Sequence, residues 1–317
     1  MCLDVQKVKS LPKILVLGSA SVDFTTYAPR LPNPGETLHG TKFTTSFGGK
    51  GANQCVAAAK LGGNCSFIAR FGDDQWGKQY QDYLKDLNID VSSTYITPNV
   101  TNGIAQISVA DNGENQIVIV QGSNGYLSKD DVEKCDELVT NAAVLVAQLE
   151  TPFETTLAAF KLNKGIKLLN AAPAMTNISE ILPLCSILCV NESEASIMSG
   201  LEVDLNTPKA IKKLLDMGCE TVIITLGKDG AVYASKDNPE VIHVNAMKVN
   251  PVDTTGAGDA FVGALAVYLI SHKNKPMHQI IGAACKIASI SVTMLGTQTS
   301  YPTNVNPFTE EYTFNKL

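Results

Sequence analysis

Asn250-Pro-Val-Asp-Thr-Thr-Gly-Ala-Gly-Asp259, running straight into the apolar stretch Ala260 to Ile270, is the segment on which the reading of this chain turns. It places a glycine-rich turn at the N-terminus of a helix. Amides in such a turn point outward with no side chains in the way, and the helix dipole adds positive potential. An anion, and most naturally a phosphate, can therefore settle on Gly256, Ala257 and Gly258. Asp259 follows the nest directly, so its carboxylate lies where it could take the proton of a hydroxyl attacking that phosphate. The same position would also suit an Asp that only satisfies the amides of a first helical turn.

Outward from this segment, β-branched apolar runs recur at Ile14 to Leu17, Phe67 to Ala69, Ala143 to Val146, Ile166 to Leu169, Ile187 to Val190 and Val222 to Thr225. Helical patterns lie between them, at Ala52 to Lys60, Gln75 to Leu87, Lys129 to Asn141, Phe153 to Leu162 and Pro208 to Met217. The alternation predicts a doubly wound α/β fold, a mainly parallel sheet with helices on both faces. Ser128 and Asp131 have the shape of a capping box. Thr207 is expected as N-cap with Pro208 as first helical residue, and Gly218 as a left-handed stop. Two segments break the pattern: Thr25 to Phe47, rich in Pro, Thr and Gly, and Gly103 to Gln121, where Asp111-Asn-Gly113 divides two alternating runs. The second reads as a β-hairpin, and both are expected in a small sheet projecting as a lid. No internal repeat or linker suggests a second independent domain.

A second glycine-rich helix start stands at Ser46-Phe-Gly-Gly-Lys-Gly-Ala-Asn-Gln54. Gly48, Gly49 and Gly51 let a small ligand approach the backbone, while Lys50 and Asn53 offer directional donors to hydroxyls. Asp23, six residues beyond the first strand, falls where open α/β sheets bind ligands and suits a two-pronged grip on neighbouring hydroxyls. Neither a GxxxxGK[ST] loop nor the protein-kinase motif set occurs, so those routes to phosphoryl transfer are excluded.

The bulk properties agree with a small-molecule substrate. At 317 residues and 44% hydrophobic content, the chain can bury a large core, and a formal charge of −6 argues against nucleic acid or an anionic membrane as partner. Met1 to Lys13 reads as a short tail without the apolar core of a secretory signal. The longest apolar run, Phe261 to Ile270, is roughly half the about 20 residues that span a bilayer. The eight cysteines show no CxxC spacing and are expected as reduced, buried thiols, Cys185 and Cys189 among them. His39, His243, His272 and His278 fall outside every motif and are expected to be structural or exposed.

Gly48-Gly-Lys-Gly-Ala-Asn-Gln54 and Asp253-Thr-Thr-Gly-Ala-Gly-Asp259, about 200 residues apart in this order, closely resemble the two signatures of the ribokinase-like (PfkB) family of sugar and nucleoside kinases. The resemblance covers nearly the whole chain. It implies one α/β kinase domain over residues 1–317 with a β lid from about 24–47 and 101–124. It also implies ATP-dependent phosphorylation of D-ribose at the 5-hydroxyl, with Asp259 as base and Gly256, Ala257 and Gly258 as anion hole. Ser21, Asp23, Gly48, Gly49, Lys50, Asn53 and Glu150 match the sugar contacts. Asn191, Thr225, Gly227, Lys228, Gly230, Gly258 and Cys285 match the nucleotide site. In Asn191-Glu-Ser-Glu194, Glu194 matches the residue that positions magnesium. Asp253, Thr255, Ser291, Met294, Gly296 and Ser300 match the ligands of a potassium-like ion.

Two positions depart from the family pattern. Cys285 stands where ribose-specific members usually carry His or Asn near the adenine, and Ser21 where bacterial members carry an Asn that touches the sugar. The resemblance further implies a homodimer formed through the lid and residence in the cytoplasm or nucleus. A kinase of the same family for deoxyribose, fructose or a nucleoside, or a catalytically silent sensor, are the competing readings.

Overall fold

Side chains alternate across the first strand: Ile14 and Val16 enter one apolar cluster, Leu15 and Leu17 the other. Period-two alternation with both sets buried means helices cover both faces of the sheet. The computed structural model describes residues 11–317, and at 204–206 the backbone only. Residues 1–10 of the expected tail lie outside the described residues, and Lys13 already belongs to the first strand.

Strands β1 (Lys13–Leu17), β4 (Asn64–Gly72), β5 (Thr94–Thr97), β8 (Val144–Ala147), β9 (Ile166–Asn170), β10 (Ile187–Asn191) and β11 (Thr221–Thr225) pair in parallel. An antiparallel edge of β12 (Ala231–Ser235), β13 (Ile242–Val244) and β14 (Phe314–Lys316) extends the sheet, in the order β14-β13-β12-β11-β10-β9-β8-β1-β4-β5. Every expected strand is found; β5 and the antiparallel edge are additional to them. The chain winds from β1 toward β4 in one direction and from β8 toward β11 in the other. The crevice at the carboxyl ends of β1 and β8 is thus the switch point, where open sheets hold their ligands.

Helices α1 (Lys50–Lys60), α2 (Gln75–Asp86), α8 (Ala257–Ser271) and α9 (Met277–Ser291) cover one face. Helices α3 (Lys129–Glu133), α4 (Asp136–Asn141), α5 (Phe153–Leu162), α6 (Glu192–Ser199) and α7 (Val203–Asp216) cover the other. Two helical expectations need correction. The single helix over 129–141 is broken at Cys135, whose φ of −126° leaves the helical region. The Thr207 cap is also wrong, because α7 begins at Val203 and carries Pro208 inside it. The Thr207 hydroxyl donates instead to the Val203 carbonyl, 2.6 Å away. The Ser128 box is present, its backbone and hydroxyl both donating to Asp131, and Gly218 has the positive φ expected of a stop.

The second sheet has the order β3-β2-β6-β7, built from β2 (Ser21–Ala28), β3 (Lys42–Gly48), β6 (Gly103–Ala110) and β7 (Asn115–Val120). β6 and β7 form the expected hairpin around Asp111-Asn-Gly113. β2 joins it in parallel. The lid therefore starts at Ser21, three residues before the expected boundary, and Asp23 sits within a lid strand. The described cysteines are unpaired thiols, all buried except Cys135. Among the described residues no helix is long and apolar enough to cross a membrane.

Candidate active site

Gly256, in the left-handed conformation, caps α8, and Asp259 occupies the first turn. One turn further, Gly263 faces α1 so closely that a Cβ there would lie 2.6 Å from the Gln54 carbonyl oxygen. That close approach lays Asn53 and Gln54 against Asp259. The Asp259 carboxylate accepts one hydrogen bond from Asn53 Nδ2 and one from Gln54 Nε2, each 2.9 Å long, joining segments 205 and 206 residues apart. Burial pushes the Asp259 carboxyl up, while the Lys50 ammonium and these two amides pull it down; the net displacement is upward. A buried carboxylate whose pKa is raised, with amide donors still favouring its ionised form, is suited to accept a proton.

The anion hole is only partly as expected. The Ala257 amide donates to the Thr254 carbonyl at 3.3 Å. No acceptor within the described chain takes the amides of Gly256 and Gly258, and the space that a Gly258 side chain would fill is open.

Asp23 lies beside Gly48, where a Cβ would come within 2.4 Å of its carboxylate. Its carboxylate has no hydrogen-bond partner among the described residues. Burial, reinforced by the charge of Glu150, raises its pKa to about 7. Glu150 accepts from the Ser19 hydroxyl at 2.6 Å and the Lys50 amide at 3.0 Å. Burial alone would lower the Lys50 ammonium, but Asp259, Glu150 and Glu194 together raise it. Lys50 thus sits among three carboxylates, at the boundary between the sugar-matching and nucleotide-matching residues. The Ser21 hydroxyl accepts from Asn124 Nδ2 at 3.0 Å, so an asparagine reaches this departing position from another segment.

Beside the α8 N-terminus lies a cavity of about 660 Å³. Thr225, Gly227, Lys228, Gly230, Gly258 and Cys285, all assigned to the nucleotide, line it together. Met247, Val249, Phe261, Ala288 and Val292 complete its apolar wall; scattered single apolar residues leave no sequence signal. A cavity of about 720 Å³ near Lys212 and Leu317 contains none of the motif residues.

Asn191 and Glu194 cap each other across the start of α6: Asn191 N donates to Glu194 Oε2 at 2.9 Å and Glu194 N to Asn191 Oδ1 at 2.8 Å. One Glu194 oxygen remains for a hydrated cation, and burial raises this carboxyl despite the cap and Lys50. Magnesium keeps several waters, so one such oxygen fits it. Asp253 accepts from Thr255 N and from Gly296 N, both at 2.9 Å, and so holds the 253–255 and 291–300 segments side by side. Burial would raise Asp253, but these bonds outweigh it and lower its pKa. One carboxylate with carbonyl and hydroxyl oxygens is a hard donor set of the kind that fits a monovalent cation. Among the described residues no group of three His, Cys, Asp or Glu could hold a metal.

Sequence reading gave no role to Ser19, Gln54, Tyr80, Gln148, Asn170 or Gln298, all of which bond to the residues above. Gln54 was visible as the last letter of the first signature; Gln298 lies in no motif.

A groove lined by glycine-rich turns at the head of α8, beside carboxylates gathered around Lys50, is the arrangement of a small-molecule kinase. The pfkB family carbohydrate kinase model matches residues 11–304, and the chain belongs to that family. It is 42% identical to a ribokinase of Mus musculus, covering 91% of each chain. It is also 36% identical to a deoxyribokinase of Salmonella typhi, covering 96% of this chain and 99% of that one. Among solved structures it resembles Arabidopsis thaliana ribokinase complexed with ribose and ATP, with a TM-score of 0.85, 30% identity, and 93% and 96% of the two chains covered.

Proposed function

We propose that this chain transfers the γ-phosphoryl group of ATP to the 5-hydroxyl of D-ribose. The observation that carries the proposal is the Asp259 carboxylate, held by Asn53 and Gln54 in the first turn of α8, next to Gly258, which lines the groove. Asp23 grips two neighbouring hydroxyls of the sugar, and Asp259 takes the proton of the attacking hydroxyl. The bond from that oxygen to phosphorus forms as the bond from phosphorus to the β,γ-bridging oxygen breaks, and ADP leaves. Open amides at Gly256 and Gly258 and the Lys50 ammonium meet the charge on the migrating group. Glu194 would hold a hydrated magnesium ion, which would neutralise charge on the nucleotide phosphates, and the Asp253 segments would hold a potassium ion, which would order the anion hole. Closure of the lid excludes water from the transfer.

Phosphorylation of 2-deoxyribose is the second reading, favoured by the Salmonella relative. Asp23 argues for ribose, because a site built to bond a hydroxyl disfavours the analogue lacking it. Turnover measured by coupled ADP detection over ribose, 2-deoxyribose, fructose and nucleosides decides. Ribose is expected to exceed 2-deoxyribose by at least about a hundredfold in kcat/KM. The opposite order assigns the chain to deoxyribose, and no sugar-dependent ADP release makes it a sensor.

A second copy of the chain is proposed to cover the lid, where Phe43 is exposed on one edge strand, β3, and Ile117 to Val120 on the other, β7. Sedimentation of wild type and Ile119→Lys tests this, with a dimer expected only for the former. The free thiols suit the reducing cytoplasm proposed for it.

A further inference from the structure

Asn53 has no free end. Its Nδ2 donates to Asp259, and its Oδ1 accepts from Gln298 Nε2 at 2.8 Å. Gln298 Nε2 also donates to the Tyr80 hydroxyl at 2.6 Å, and Tyr80 donates to the Gly48 carbonyl at 2.7 Å. Gly48 is the last residue of lid strand β3 and touches Asp23. Gln298 itself is 3% exposed, Asn53 7% and Tyr80 0%. The Lys60 ammonium fixes the Gln298 backbone by bonding its carbonyl at 2.6 Å.

The direction of every bond in this chain follows from one end. An ionised carboxylate only accepts, so Asn53 must present its amide nitrogen to Asp259 and its oxygen to Gln298. Gln298 must then present nitrogen to Asn53, and Tyr80, accepting from Gln298, has its proton free for Gly48. Turning the Gln298 amide over would set oxygen against oxygen. The fixed orientation leaves Gln298 Oε1 buried without a partner. Such an atom calls for a reason, because buried acceptors are rarely left unpaired.

We infer that Gln298 is a positioning residue for phosphoryl transfer, orienting the Asn53 amide against Asp259 and tying that pair through Tyr80 to the lid strand at the sugar pocket. This rests on Asp259 being the base. The groups that act on Asp259 besides Asn53 and Gln54 include Lys50 from α1 and Glu150 after β8. Glu194 of α6 and Tyr301 also feel its charge. None of these is altered by changing Gln298.

Three variants test the inference by kcat against pH, with KM for ribose and ATP and thermal melting recorded. Gln298→Met keeps the length and removes the donor. Its kcat should fall about three- to tenfold, the scale of one net hydrogen bond, with KM for ATP unchanged. The acid limb of kcat should move to higher pH, because a loosened Asn53 holds Asp259 ionised less well. Gln298→Glu should lose more than Gln298→Met at high pH, where an ionised Glu opposes Asn53 Oδ1, and recover relative to wild type on acidification as it gains a donor proton. Tyr80→Phe keeps the Gln298 to Asn53 bond and should raise KM for ribose with little change in kcat; it stands in if Gln298→Met does not fold. Wild-type kcat and acid limb in Gln298→Met overturn the inference, as does an equal loss in the Met and Glu variants at every pH. In the Tyr80→Phe arm, an unchanged KM for ribose overturns it. Asp259→Asn, run alongside, separates the two ideas: near-normal turnover there removes the base itself, whereas its loss with inert Gln298 variants removes only the role of Gln298.

Discussion

Replacing Asp23 with Asn tests how the sugar pocket is held before sugar arrives. The Asp23 carboxylate is partly buried, lacks a hydrogen-bond partner among the described residues and faces the charge of Glu150. Its pKa rises from 3.8 to about 7. That displacement corresponds to roughly 4 kcal/mol against the ionised form, at about 1.4 kcal/mol per pH unit. Water reaching the carboxylate recovers part of it, so about 1–2 kcal/mol is expected from relieving the charge. The sign is fixed by linkage. A carboxyl with a raised folded-state pKa contributes stability that is complete below the unfolded value and lost as pH rises through about 7. Asp23→Asn should therefore be more stable than wild type at about pH 8, by about 1–2 kcal/mol, and equal to it near about pH 4. Urea unfolding without sugar, at several pH values, measures this. Ribose should reverse the order at about pH 8, because its hydroxyls donate to an ionised Asp23 and bind the variant poorly. A stability gain independent of pH, or ribose protecting both proteins equally, would refute the reasoning.

Asp259→Asn should fold and bind ribose and ATP, yet lose at least about a hundredfold in kcat, as measured by ADP release. Lys50→Ala should raise KM for ribose. It should also shift the acid limb of kcat upward, since the ammonium that lowers the Asp259 pKa is gone; a pH–rate profile reads both. Asp253→Ala should abolish any activation by potassium, titrated against sodium, because the bonds to Thr255 and Gly296 that align the two segments are lost. Gly263→Val, directed at the Gln54 carbonyl and Ala57, should cost about 1–3 kcal/mol in urea unfolding by overpacking α8 against α1.

Much of this protein is local in origin and therefore legible in its sequence. Apolar runs of strand length alternating with helical periodicity specify the parallel sheet, because each pattern fits one kind of buried surface. The turn residues Asp111-Asn-Gly113 specify the lid hairpin. Glycines placed before Asp259 and around Lys50 mark the two helix starts that carry the site. Tertiary structure alone decided what these starts do to one another. Thr207 before Pro208 has the local sequence of a helix start, yet the helix begins at Val203 and runs through both. Ser19, Tyr80 and Gln298 carry no local signature, since their roles arise from bonds spanning 131, 32 and 245 residues to Glu150, Gly48 and Asn53. Whether a carboxylate is held by amides, left bare or crowded by its neighbours depends on distances through space. Those distances hold the Asp259 carboxylate between two amides and leave that of Asp23 without a partner among the described residues, though the sequence writes both with the same residue.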